Sequence, residues 1–285
     1  MNVLVATDGS KYGNWALEWV AQLPLQSAPN VEVLHAVDVG ALRAPFVVQP
    51  VIVGTERYLK AEIARMEAHA KKTKRDATAQ LKSLHLNGRV VIERGGVAAT
   101  ILKHAKRGMQ LVAIGSRGLD ALDRFMLGSV STHAIHHLPC SVLVVKEPAR
   151  PIRRVVLAID GSVPSTKAVR FLLRTMRPWE DEPERDPITV TVVHAMPFLK
   201  YPELREAGKA MVEQSADLLV RAGYLVEQAP KLGKPADEVL TVAQQHKADL
   251  IITGAKGLGA IGRFLLGSVS TRVVQHANCS VLVVR

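Results

Sequence analysis

Cysteine is nearly absent from the sequence. Cys140 and Cys279 are the only two in 285 residues, and they stand outside any CxxC spacing. A disulfide framework is thereby excluded, and both thiols are expected to be reduced and partly buried. Aromatic residues make up 4% of the chain against 48% for all apolar types. The core must therefore be built from Val, Leu, Ile and Ala, and few rings are available to stack on bases. Long apolar runs are missing as well. The amino-terminal run Val3–Ala6 is cut short by Asp8, and no later stretch reaches the roughly 18 uncharged residues of a membrane span. The composition reads as that of a soluble, cytoplasmic α/β protein with no membrane partner.

Positive charge is in excess, with a formal net charge of +11, and its distribution matters more than its size. Residues 1–148 carry 18 Lys and Arg against 12 Asp and Glu, and residues 149–285 carry 19 against 14. Both halves share the excess, so a nucleic-acid partner is not expected. The one dense basic run, Lys71–Arg75, falls in a long helical pattern and reads as a solvated face.

The length suits two domains, and the sequence says the same thing twice. "GSRGLDALDRFMLGSVST" at Gly115–Thr132 returns as "GAKGLGAIGRFLLGSVST" at Gly254–Thr271. "VLVATDGS" at Val3–Ser10 returns as "VLAIDGS" at Val156–Ser162, "LHAV" at Leu34–Val37 as "VHAM" at Val193–Met196, and "CSVLVV" closes both halves. A period this long is a duplicated domain rather than a solenoid unit. The expected domains are residues 1–148 and 149–285, joined by "KEPARPIRR" at Lys146–Arg154, whose two prolines break strand and helix alike. So short a join sets the halves against one another.

Within each half, short β-branched runs alternate with longer helical periods, the pattern of βαβ units around a parallel sheet. Strands are expected at Val3–Thr7, Val31–Val37, Val90–Glu93, Leu111–Gly115 and Ser141–Lys146, and again at Val155–Ile159, Ile188–Val193, Leu225–Gln228, Leu250–Thr253 and Ser280–Val284. The longest helix carries an apolar face from Tyr58 through Ile63, Met66, Ala70, Ala77 and Leu81 to Leu84. The expected architecture is two tandem, doubly wound, parallel five-stranded sheets, Rossmann-like, of order 3-2-1-4-5 and related by a pseudo-twofold axis. The halves differ most after their second strands. The first carries an apolar, proline-bearing stretch, Asp38–Glu56, that either covers a ligand or packs against the other half.

In an open parallel sheet of that order, ligands bind outside the carboxyl ends of strands one and four. Asp8-Gly9-Ser10 and Gly115–Gly118 emerge there in one half, and Asp160-Gly161-Ser162 and Gly254–Gly257 in the other. Gly115 and Gly118 are read as granting positive φ and close backbone approach to a ligand. Nine residues further on, Gly128-Ser129-Val130-Ser131 reads as a helix start whose free N–H groups attract anions, with the serine hydroxyls as added donors. Gly267, Ser268, Val269 and Ser270 repeat the arrangement. The same features would also suit a glycine hinge with helix-capping serines.

These residues resemble the universal stress protein family, whose nucleotide-binding members share GxxG, nine residues, then Gly-Ser or Gly-Thr. The match covers both halves. The resemblance implies ATP, with Mg2+, between strands one and four. It sets the backbone at Ala36 and Ala195 near adenine, with Ala6, Thr7, Ala158 and Ile159 on the adjoining strand ends. It sets Asp8 and Asp160 near ribose or the metal, and Gly115, Gly118, Gly128, Ser129, Val130 and Ser131 around ribose and phosphates. Gly254, Gly257, Gly267, Ser268, Val269 and Ser270 take those places in the second half. The family's last strand is often a dimerisation edge, so Val142–Val145 and Val281–Val284 are expected to pair the halves as an internal pseudo-dimer, with a homodimer also open.

A rival site is His133, His136, His137 and Cys140 at i, i+3, i+4 and i+7, a spacing that can hold zinc. The second half places Arg272, Gln275, His276 and Cys279 there, and Pro139 breaks the helix before the first cysteine, which favours packing over metal. The expected function is an ATP-binding stress or signalling module without catalytic residues. An ATP-dependent enzyme would need a pyrophosphate loop such as SGGxDS or the lysine of GxxxxGKS, and the sequence has neither.

Overall fold

The structure, a computed structural model, describes residues 1–43, 55–118, 127–178, 187–196, 202–256 and 266–285. The first half runs β1 (Asn2–Ala6), α1 (Lys11–Gln22), β2 (Asn30–Val37), α2 (Val39–Arg43), α3 (Thr55–Ser83), β3 (Asn87–Arg94), α4 (Val97–Ala105), β4 (Leu111–Gly115), α5 (Ser129–His137) and β5 (Ser141–Val145). The second follows with β6 (Arg154–Ala158), α6 (Val163–Thr175), β7 (Thr189–Met196), α7 (Pro202–Arg221), β8 (Leu225–Leu232), α8 (Pro235–Gln245), β9 (Leu250–Gly254), α9 (Ser268–His276) and β10 (Ser280–Val284).

All ten expected strands are present, and each half has the order 3-2-1-4-5. The closing strands β5 and β10 pair as expected, so the two five-stranded sheets are continuous with one another. They join into one ten-stranded sheet of order β3-β2-β1-β4-β5-β10-β9-β6-β7-β8, parallel within each half and antiparallel where β5 meets β10. The inner strands are apolar and buried along their whole length, as a sheet covered on both faces requires. One core, beneath α1, α3, α6 and α7, takes Val3, Val5, Leu143, Leu157 and Leu282 from one face of the sheet. The other, beneath α4, α5, α8 and α9, takes Leu4, Val112, Val144, Ile251 and Val283 from the opposite face. Both cores run unbroken across the two halves.

The outermost strands β3 and β8 are each eight residues, longer than expected. An outer strand has one open side, so its polar residues face solvent and hide the apolar alternation. The apolar stripe of α3 is buried only from Ala70 onward, and Tyr58, in its first turn, is 56% exposed. Lys71, Lys72, Lys74 and Arg75 lie on the exposed side of α3, as expected.

Contacts between the halves extend beyond the strand ladder. Lys146 leaves β5 and donates through Nζ to the carbonyl of Ala277, at the end of α9, at 2.6 Å. Arg285 leaves β10 and donates through Nη2 to the carbonyl of Ile135 in α5. Each half thus supplies a cation to the carboxyl end of a helix in the other, where carbonyls lack intrahelical partners. Burial pulls the Lys146 amine down to about 8. Among the described residues, no helix is long and apolar enough to cross a membrane.

Candidate functional site

The carboxyl ends of β1 and β4 lie side by side, as do those of β6 and β9, so each half opens a crevice where the strand order reverses. One wall is the turn after the first strand. Asp8 Oδ1 accepts from the Ser10 N–H at 2.9 Å, and Gly9 holds φ +82°, a conformation that favours glycine. Ser10 then caps α1 by accepting from the Gly13 N–H. The second half repeats this: Asp160 Oδ1 accepts from Ser162 N–H at 3.0 Å, Gly161 has φ +77°, and Ser162 caps α6 at Ser165.

The other wall is the end of the fourth strand and the helix that follows. Ser116 N–H donates to Val145 O, and Gly128 N–H donates to Ser116 O at 2.9 Å, which brings the start of α5 back to the strand end. Ala255 and Gly267 do the same in the second half, at 2.9 and 2.8 Å. The Thr132 and Thr271 amides bond the carbonyls of Gly128 and Gly267, so the amides of residues 129–131 and 268–270 precede the first intrahelical bond. Among the described residues no side chain caps α5 or α9, whereas serines cap α1 and α6. Each crevice therefore combines a carboxylate turn with an uncapped helix N-terminus, which favours an anion.

Several expected roles change. Neither Gly115 nor Gly118 has positive φ. A Cβ on Gly115 would stand 2.6 Å from Tyr12 Cβ, and one on Gly254 would stand 2.5 Å from the Pro164 carbonyl carbon. Both glycines are buried in their strands, where a crossing helix leaves no room for a side chain. Ser131 and Ser270 are buried as well, and each hydroxyl donates at 2.7 Å to the carbonyl of Gly115 or Gly254. These hydroxyls tie α5 and α9 to the sheet, leaving Ser129 and Ser268 as the exposed pair. Gly118 does belong to the crevice, since a Cβ there would stand 2.7 Å from Asp8 Oδ2. Gly257 lies outside the described residues, as does most of the Asp38–Glu56 stretch.

The structure adds residues that the motif reading missed. His35 and His194 each lie 2.9 Å through Nδ1 from the carbonyl of Thr7 or Ile159. Burial holds the His35 imidazole below its usual pKa, so at neutral pH the uncharged ring donates one N–H to that carbonyl. His69 Nε2 lies 2.8 Å from the Asp8 carbonyl, which pins the same turn from α3. The signal was the His-Ala pair in both "LHAV" and "VHAM". Its alanines lie near the carboxyl ends of β2 and β7, Ala36 half-buried and Ala195 buried. Arg117 Nη1 donates to the Tyr12 hydroxyl at 2.9 Å, and the guanidinium lies 5.5 Å from the Tyr12 ring centroid.

At the rival zinc spacing, His133 and His137 stack with ring centroids 4.1 Å apart, and Cys140 is buried in the core. Burial pushes the Cys140 thiol up to about 11 and the Cys279 thiol up to about 12. No group of three or more His, Cys, Asp or Glu among the described residues is arranged to hold a metal ion.

A model of the universal stress protein family matches residues 1–146 and again residues 151–285. The chain belongs to the universal stress protein family. It is a tandem member, with one universal stress protein domain in each half. A universal stress protein of Mycolicibacterium smegmatis is 30% identical over 302 residues, covering 99% of this chain and 96% of that one. One from Mycobacterium tuberculosis is 27% identical over 324 residues, covering 100% and 95%. A solved universal stress protein from Archaeoglobus fulgidus shares the fold over 100% of this chain and 96% of its own, with a TM-score of 0.71 at 18% identity.

Proposed function

We propose that each half binds one ATP in the crevice between its first and fourth strands, and that the protein is a nucleotide-responsive module of stress response or signalling rather than an enzyme. The observation that carries this reading is the uncapped start of α5 and α9 set beside an aspartate turn on the neighbouring strand, in both halves. The amides of residues 129–131 and 268–270 would hold phosphates. Asp8 and Asp160 would face ribose or Mg2+, and the strand ends at Ala6, Thr7, Ala36, Ala158, Ile159 and Ala195 would border the base. A carboxylate such as Asp8 or Asp160 suits Mg2+, which takes one or two protein carboxylates and completes its shell with phosphates and water. The ion would neutralise phosphate charge.

Turnover should be absent or take minutes. The buried serine hydroxyls are already committed to strand carbonyls, and Arg117 and Lys256 would supply charge without a base to activate water. A cytoplasmic location belongs to the same proposal. A homodimer would have to use a surface other than β5 and β10, which already pair with each other.

Equilibrium dialysis of the full chain tests the reading, with saturation expected near two nucleotides per chain. Saturation near one would mean that one crevice is closed, and no binding would overturn the proposal. Hydrolysis on the order of 1 per second, typical of working enzymes, and lost in the Asp8→Ala, Asp160→Ala double variant, would replace the module with an ATPase.

A further inference from the structure

The duplication provides an internal control on every surface of this protein. When the two copies are aligned on their Asp-Gly-Ser turns, α1 overlies α6, so that Trp15, Glu18 and Gln22 correspond to Lys167, Arg170 and Arg174. Aligned on the fourth strands, Asp249 corresponds to Gln110.

On the α1 side the chain covers this surface itself. After β5 the linker runs across it, and Trp19 Nε1 donates to the Glu147 carbonyl at 2.8 Å. Asp249 Oδ2 accepts from the N–H groups of Arg153 and Arg154 at 2.9 and 2.8 Å, and Ile152 is buried in the core. On the α6 side no described segment crosses. The same surface lines a groove of about 620 Å3 between the halves, floored by Phe171 and Leu25 and rimmed by Gln26, Gln110 and Ser141. That volume is in the range of small-molecule sites.

The charge of the groove has changed with its cover. Lys167, Arg170 and Arg174 fall at i, i+3 and i+7, on one face of α6. They span roughly 10 Å of helix axis. All three are exposed, and none has an ion pair or hydrogen bond among the described residues, whereas Lys72, Arg89, Arg94 and Lys103 each reach a carboxylate. Arg285 closes one end, with its Nε buried and unpartnered among the described residues. Like charges at this spacing repel one another, and the α1 copy folds without them, so the fold does not need them.

We propose that this groove is a binding site for a small polyanion, a compound with several phosphoryl or carboxylate groups. It shares no lining residue with either nucleotide crevice. Lys167, Arg170 and Arg174 would make charge-assisted hydrogen bonds to the anionic groups, and Phe171 would cover the carbon part.

The test uses the full chain with tripolyphosphate and citrate as separate probes, and reads acetylation of each lysine by mass spectrometry. Mapping by residue separates the groove from the crevices. Tripolyphosphate, citrate or both should protect Lys167 at concentrations that leave the other exposed lysines reactive, and the effective probe identifies the favoured anionic group. In the Arg170→Ala, Arg174→Ala variant the protecting concentration should rise about tenfold or more. Protection of Lys167 that is equal in the double variant, or no greater than that of other exposed lysines, would overturn the proposal. So would a total lack of protection. That is the outcome expected if the acidic residues Glu180, Asp181, Glu182 and Glu184, which follow α6 and lie outside the described residues, neutralise the groove from within the chain.

Discussion

Leu143 and Leu282 sit directly opposite one another where β5 meets β10, and neither exposes any surface. Their pairing closes two sheet edges at once, because each half alone would end in a bare apolar strand. Separately expressed halves should therefore dimerise or aggregate, and sedimentation showing stable monomers would contradict this. In the full chain, Leu282→Ala should lower stability by about 2–5 kcal/mol, read from urea unfolding.

Gly115 and Gly254 mark where α1 and α6 cross β4 and β9. At either position a methyl group would meet backbone or Cβ atoms at 2.5–2.6 Å, and these cannot swing aside. Gly254→Ala should therefore cost about 1–3 kcal/mol of stability. A variant with unchanged unfolding would mean that the helix can lift without penalty.

Gly118 should behave differently. Among the described residues a Cβ there meets only the end of the Asp8 side chain, which can rotate, so the fold should tolerate Gly118→Glu. Under the proposed function, the new carboxylate would fill the first crevice and repel phosphate. Dialysis should then show the nucleotide stoichiometry falling from about two to about one, with the circular dichroism spectrum of the parent retained.

Ser131→Ala and Ser270→Ala remove buried bonds between a helix start and its strand. Each should cost about 0.5–1.5 kcal/mol of stability. Nucleotide affinity should change less than in Gly118→Glu. A large loss of affinity with unchanged stability would instead return these hydroxyls to the ligand.

His104 is buried between two carboxylates, with Nδ1 facing Glu32 and Nε2 lying 2.8 Å from Glu93 Oε2. Burial pushes the Glu32 carboxyl up, but bonds from His104 and Arg89 outweigh it and hold the group below its usual value. Lys103, and then His104, hold Glu93 down to about 2. Because both folded values lie below the usual 4.5, these carboxylates stabilise the fold above that pH and lose the contribution as pH falls toward 2. Urea midpoints should drop through that window, and His104→Leu should lower the midpoint at neutral pH and flatten its pH dependence. A profile equally steep in the variant would remove the cluster as the cause.

The sequence alone determined the duplication and the ten strands. Val, Leu and Ile runs between helical periods leave few other ways to bury apolar residues, and the right-handed βαβ rule narrows the strand orders to a few, of which 3-2-1-4-5 is the one found. It also pointed to both crevices, because Asp8 and Gly128, like Asp160 and Gly267, fall at strand ends and helix starts whatever the packing detail. Tertiary structure decided what individual residues do there. Whether a glycine faces a ligand or a crossing helix depends on atoms more than a hundred positions away, as Tyr12 against Gly115 shows. Ser131 likewise has a hydroxyl that could serve a ligand until the fold places the Gly115 carbonyl 2.7 Å from it. The crossed cations Lys146 and Arg285 and the groove beside α6 arise only when the halves meet. They depend on the relative placement of two copies, and residue periodicity within one copy carries no information about that.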